Sequence, residues 1–258
     1  MRRASRIGTG AVLLGLALLL AGGAVTGVGP GDKVGLPKDV LASLVAHDAR
    51  AVREGLAKGA RDKKTKRKVR VSAFMIAVYA QAAMGQGDPG RLAALRDTAL
   101  QVVKLVEDGK AKEAAKLAER LSPDKEGAGG KVGPVAWEKQ LNFEDLMHQF
   151  SGLLVGGFGI EKELGDLAEK DTLTAEHLER LRFLGYKLAM IGRVTDAYAD
   201  EKNEGGNKTK ANWLKFSQDF RVAARDLIQT ASAKNQAAAR AALEKLNMSC
   251  TKCHDVFR

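Results

Sequence analysis

The side chains best suited to do chemistry stand together near the C-terminal end, in the run Cys250-Thr251-Lys252-Cys253-His254. The chain holds two cysteines and four histidines, and three of these six fall inside this run. Two thiols with two residues between them have the reach to add to the two vinyl groups on neighbouring edges of a porphyrin. A histidine directly after the second thiol then lies beneath the ring as an axial iron ligand. The spacing therefore predicts one covalently bound haem c, attached at Cys250 and Cys253, with His254 as the proximal ligand. A thioredoxin-like dithiol would want a strand before the first cysteine, whereas this pair closes an Ala-rich helical segment. A zinc site would need a fourth ligand at matching spacing. Redox disulfide chemistry and metal binding remain as the weaker alternatives.

The elements that must hold this motif are expected to be helices. Apolar residues make up 45% of the 258 positions and aromatic ones only 5%, and Ala, Leu, Lys, Glu and Arg recur in helical periods, which points to an all-α chain with thin aromatic cores. The stretch Ser122-Pro123-Asp124 through Gly133 and Pro134 breaks it into two halves. The first offers helices over about 37–58, 68–84, 89–107 and 110–121, the second over 143–169, 174–200, 210–232 and 235–253. Asn142 and Thr174 are placed to cap the first two helices of the second half, with Asp145 and His177 in their first turns. The matching order, with Glu119-Arg120-Leu121 echoed by Glu244-Lys245-Leu246 and Met75-Ile76 by Met190-Ile191, suggests a duplication. The expected division is 1–24 as a signal peptide, 35–122 as a first helical domain, 123–136 as a linker and 137–258 as the domain carrying the cysteines.

Arg2, Arg3 and Arg6 before the apolar run Ala11 to Ala21, with Gly22, Gly23 and Ala24 after it, have the layout of a secretory leader. The run is short and interrupted by glycines, so an uncleaved anchor is the lesser expectation, and without a cysteine it is no lipoprotein signal. The formal charge of +11 includes these three arginines and no leader acid, so the mature chain keeps +8. Such a surface favours acidic partners. An exported chain with no aromatic-interleaved basic motif argues against nucleic acid as the target.

The C-terminal pattern Cys250, Cys253, His254 and Arg258, at the end of the last of four helices, resembles the class II cytochrome c family, which includes cytochrome c′. The resemblance covers roughly residues 137–258 and implies an antiparallel four-helix bundle with one haem c at its C-terminal helix. It further implies that Arg258 lies near the proximal face of His254, where it modulates the ligand or the propionates, although an ordinary exposed arginine is an equal reading. In low-spin members a methionine near the start of the first bundle helix ligates the iron from the other side, and Met147 in Asp145-Leu146-Met147-His148 occupies that place. His148 points about 100° away and is the weaker choice. With neither bound, the iron is five-coordinate and open to NO or CO. Met190 and Met248 are read as ordinary side chains, and Phe143, Phe150, Phe158 and Trp213 as packing for the haem or core. Gly152 and Gly156, one turn apart, permit a close approach of the first helix to a neighbour or the porphyrin, with a break at Gly157 and Gly159 as the alternative.

The first half has no cysteine, and no methionine from Asp32 through Phe74, so it is expected to be a haem-free bundle with a structural or docking role. Its isolated His47 is read as solvated or capping. Its most distinctive feature is the basic run Arg61-Asp62-Lys63-Lys64-Thr65-Lys66-Arg67-Lys68-Val69-Arg70, expected to be a solvated loop or a steering surface for an acidic partner or anionic lipid. Together these readings predict an exported, periplasmic mono-haem carrier of single electrons rather than a substrate-converting enzyme. Its partners would be exported redox proteins, with no membrane span in the mature chain and dimerisation left open. A gas-binding cytochrome c′-type protein and a non-redox docking protein are the alternatives.

Overall fold

The computed structural model describes residues 34–124, 130–153 and 157–257. The leader, Arg258, the glycines of 125–129 and Gly156 lie outside the described residues. Among the described residues every regular element is helical.

The first set is α1 (Lys38–Ala57), α2 (Lys63–Ala83), α3 (Pro89–Glu107) and α4 (Ala111–Ala118). Local chemistry starts two of them firmly. The Asp62 carboxylate accepts from the Thr65 N–H at 2.9 Å, and the Asp88 carboxylate accepts from the Gly90 and Arg91 N–H groups just before a helix that opens on Pro89. In α1 the buried Val40, Leu41, Leu44, Val45, Ala49, Val52 and Leu56 follow one helical stripe. In α2 every residue from Val71 to Ala80 is buried, as a helix covered on all sides must be. The chain returns so that α1 packs on α2, α2 on α3, α3 on α4 and α4 on α1.

The second set is α5 (Phe143–Met147), α6 (Ile160–Ala168), α7 (Ala175–Thr195), α8 (Lys210–Ser232) and α9 (Gln236–Phe257). The expected caps form: Asn142 Oδ1 accepts from the Asp145 N–H at 2.7 Å, and Thr174 and His177 cap each other reciprocally. The single helix expected over 143–169 does not form. It is split into α5 and α6, and the glycines explain the split. A Cβ at Gly157 would lie 2.1 Å from the Ser151 carbonyl oxygen and 2.4 Å from that of His148, and Gly159 takes φ +71° at the start of α6. The turn is tied off by N–H donors of Phe158 and Ile160 to the Gln149 carbonyl. The helix expected to reach 200 ends at Thr195 and passes into a 3₁₀ turn over Asp196–Tyr198. Here too the helices close a ring, α6 on α7, α7 on α8, α8 on α9 and α9 on α6. Arg240 on α9 fastens that closure by donating to the carbonyls of Ala168, Lys170 and Asp171.

The two sets share one hydrophobic core, because α7 packs against both α1 and α2. Inside that contact Lys187 of α7 donates to Asp48 of α1 at 3.0 Å, and the Tyr79 hydroxyl of α2 donates to the other carboxylate oxygen at 2.8 Å. All three side chains are buried. The connecting chain is docked as well. Buried Arg96 donates to the carbonyls of Lys131 and Gly133, and Trp137 meets Phe74 edge-on at 5.5 Å.

Burial pushes the Asp48 carboxyl up, but Lys187 and His47 beside it outweigh burial and hold it below its ordinary 3.8. Its contribution to stability is therefore full above the ordinary aspartate range and lost as pH falls through the lowered value. Removing one partner strands the other charge: Asp48→Ala or Lys187→Ala alone should cost about 3–5 kcal/mol in urea unfolding. The combined change Asp48→Leu, Lys187→Met and Tyr79→Phe, which leaves no buried donor unpaired, should recover most of that loss, and a triple variant no better than the singles would refute a simple ion-pair account.

Candidate haem-attachment site

Helix α9 buries Ala239, Leu243 and Leu246, and the same alternation of four and three residues runs on to Cys250, Cys253 and Phe257. The two cysteines thus continue the inward stripe of α9. Both are free thiols and half-buried. On a helix, Cys250, Cys253 and His254 lie within an arc of about 100°, with His254 on the flank, and His254 is exposed. Burial drives the Cys250 thiol up to about 11, with the nearby Cys253 and Glu161 adding to the effect. Burial also raises Cys253, where Lys202 partly opposes it. Both sulfurs are therefore held as neutral thiols at ordinary pH.

Around the end of this stripe stand flat aromatic rings. Phe257 meets Trp213 at 5.1 Å and Phe216 at 6.2 Å, Trp213 meets Phe143 at 4.9 Å, and Phe143 meets Tyr198 at 5.3 Å. Two buried hydrogen bonds fix the cluster, Trp213 Nε1 to the Thr195 carbonyl and the Tyr198 hydroxyl to the Leu141 carbonyl. The Lys202 ammonium caps the rings of Phe143 and Trp213. Two surface clefts open elsewhere, one beside Arg193, Arg221 and Arg225 and one beside Glu179, Arg182 and Lys234. Neither is lined by residues of the cysteine face.

Met147 lies at the end of α5, half-buried and packed against the core, one turn beyond Phe143. His148 follows it with a buried Nδ1 that has no hydrogen-bond partner. Met190 is buried inside α7 and Met248 is 55% exposed on α9, which suits the ordinary roles expected of both. Phe150 packs edge-on against Phe220 at 6.4 Å. His47 touches Asp48 and the Phe183 ring. Arg258, expected beside His254, lies outside the described residues.

The basic run is not a loop. From Lys63 it is the first part of α2, and two of its guanidinium groups turn inward onto one carboxylate, Arg67 Nε at 2.7 Å and Arg70 Nη1 at 3.1 Å from Asp145. The sequence offered little warning of this contact, because Arg67 and Asp145 are far apart along the chain. Phe257 and Tyr198 also escaped notice, although Phe257 continues the spacing of the cysteine stripe.

The donor set fits a c-type haem: two neutral thiols one turn apart on an apolar stripe, a histidine next to the second, and aromatic rings beside them. Among the described residues no cluster of three or more His, Cys, Asp or Glu offers a competing metal site.

Residues 195–258 match the family model for cytochrome c′. The match spans the 3₁₀ turn, α8 and α9, and so contains both cysteines, His254 and most of the aromatic cluster. The cytochrome c′ family consists of four-helix bundles with covalently bound haem c, in agreement with the all-helical architecture and the expected resemblance. No curated protein and no solved structure gives a significant match to the chain.

The thiol environment can be read directly on the haem-free chain. In a Cys253→Ser background, which removes the smaller push from that thiol and leaves burial, alkylation of Cys250 by iodoacetamide should rise with pH to an inflection clearly above the ordinary 9. An inflection near the ordinary 9 would mean that the sulfur is not on the buried stripe.

Proposed function

We propose that the protein is an exported mono-haem c-type cytochrome that passes single electrons between partner proteins and converts no substrate itself. The observation that carries this reading is the placement of Cys250 and Cys253 on the inward stripe of α9 inside the segment that matches cytochrome c′. When bound, haem c supplies a reversible one-electron iron couple. Cys250 and Cys253 would hold it through two thioether bonds, each made by addition of a thiol to a vinyl group so that no group leaves.

His254 would hold the iron, and Met147 is the candidate second ligand. Trp213, Phe216, Phe257 and Phe143 would exclude water from the ring faces, and low exposure to water is one of the levers that set the potential of such a site. Lys202, over Phe143 and Trp213, keeps a positive charge at the rim where an acidic partner would approach. The Arg-rich N-terminal layout followed by Ala11 to Ala21 supports export. Among the described residues no helix is long and apolar enough to cross a membrane. The shortness of α5, five residues, favours one second reading, a five-coordinate iron that binds NO or CO because Met147 is not held against it.

Absorption of protein matured in a host with haem-attachment machinery decides between them. A sharp low-spin reduced band unaffected by CO is expected, and Met147→Ala should convert it to a CO-sensitive high-spin spectrum. A wild-type protein that already shifts with CO would establish the gas-binding form. Cys250→Ala and Cys253→Ala should each leave a single thioether, seen as a shifted reduced band in alkaline pyridine. Absence of covalent haem in the unaltered chain would sink both readings.

A further inference from the structure

We propose that the basic start of α2 is a clamp by which the haem-free half positions the wall of the haem site formed by α5, Phe158 and the first turn of α6. The proposal rests on the haem reading above and assigns a task to the half that carries no cysteine.

The wall meets the cysteine helix at two points. Phe143 touches Trp213, which touches Phe257, and α6 packs directly against α9. A five-residue helix has too few internal hydrogen bonds to stand alone, and glycines interrupt the chain before α6. Besides its contacts with Tyr198 and Trp213, part of what holds it comes from the first set. Asp145 is only 7% exposed and is gripped by Arg67 at 2.7 Å and Arg70 at 3.1 Å. The Asn142 side-chain amide donates to the same carboxylate at 3.2 Å. Arg70 also reaches Glu107 of α3 at 3.6 Å, so two guanidinium groups face two carboxylates.

A second grip lies beyond the glycines. The Phe158 ring has the Lys68 ammonium of α2 at 5.1 Å and the Lys187 ammonium of α7 at 4.8 Å. Arg67, Lys68 and Arg70 are adjacent or one turn apart on α2, so one short stretch of the basic run contacts both ends of the wall. Met147 sits two residues from the clamped carboxylate. Arg67, Lys68 and Arg70 are positioning residues: they act on the iron through α5, without touching the haem.

The test compares full-length chains matured with haem, starting from the covalent haem content of the unaltered chain; its absence would sink the haem reading and this proposal together. In Arg67→Gln/Arg70→Gln, amide hydrogen exchange over residues 143–149 should rise about tenfold or more. At unchanged covalent haem content, the low-spin fraction should fall or the CO association rate should increase. Arg67→Lys/Arg70→Lys should restore part of both signals. Lys63→Gln/Lys66→Gln, which removes the same charge from the same helix, should change neither. Should the double variant fail to fold, Asp145→Asn is the milder version and should give the same pair of changes. Exchange equal to that of the Lys63/Lys66 control would overturn the clamp. Faster exchange with an unaltered haem spectrum and CO rate would overturn the positioning role. If Met147→Ala leaves the spectrum unchanged while the arginine variant still alters the CO rate, the ligand assignment fails and the clamp stands.

Discussion

The buried contact of Lys187 with Asp48, joined by the Tyr79 hydroxyl, sets how the two sets of helices can sit on one another. A fully buried ammonium and carboxylate gain little net stability over apolar side chains of the same size, because each loses its water. They do penalise every other register, since sliding α7 along α1 would leave two unpaired charges in the core. Apolar contacts along α1, α2 and α7 tolerate small shifts, and the ion pair does not. The position of α7 relative to α2 follows from it, and with it the placing of α8, α9 and the cysteines, which are all built outward from α7.

That registration also decides the surroundings of the haem-attachment face. Lys187 serves twice, pairing with Asp48 and lying over the Phe158 ring. Arg67 and Arg70 lie on the same α2 helix as Tyr79 and reach across to Asp145. A set of helices without cysteine thus bears on the neighbourhood of Cys250 and Cys253 through its ion pairs with Asp145 of the short α5. The strongly basic stretch that reads in isolation as a solvated or steering surface spends two of its charges on a buried carboxylate. Arg61 and Lys63, at its start, remain exposed.

Several features were legible because their causes are local. The ends of α3 and α8 follow from Asp88-Pro89 and from Thr209, which caps Asn212. The thiol spacing and its neighbouring histidine depend on five consecutive residues. The expected helix over 143–169 failed for a reason that is only partly local. Gly157 and Gly159 offered a break as the alternative, but whether such residues bend a helix or end it depends on what lies beside them. Here the carbonyls of His148 and Ser151 occupy the space where a side chain on residue 157 would stand.

By itself, the sequence determined that the chain is helical, that two thiols and a histidine share one end of one helix, and that these fit covalent haem, because helical period and bond reach are properties of neighbouring residues. The tertiary structure decided which way the cysteine stripe faces, that the two halves share a core, and that Arg67 and Arg70 belong to Asp145. Those outcomes depend on which buried charges can find partners across long stretches of chain, and a carboxylate such as Asp145 carries no mark in the sequence of the helix that will neutralise it.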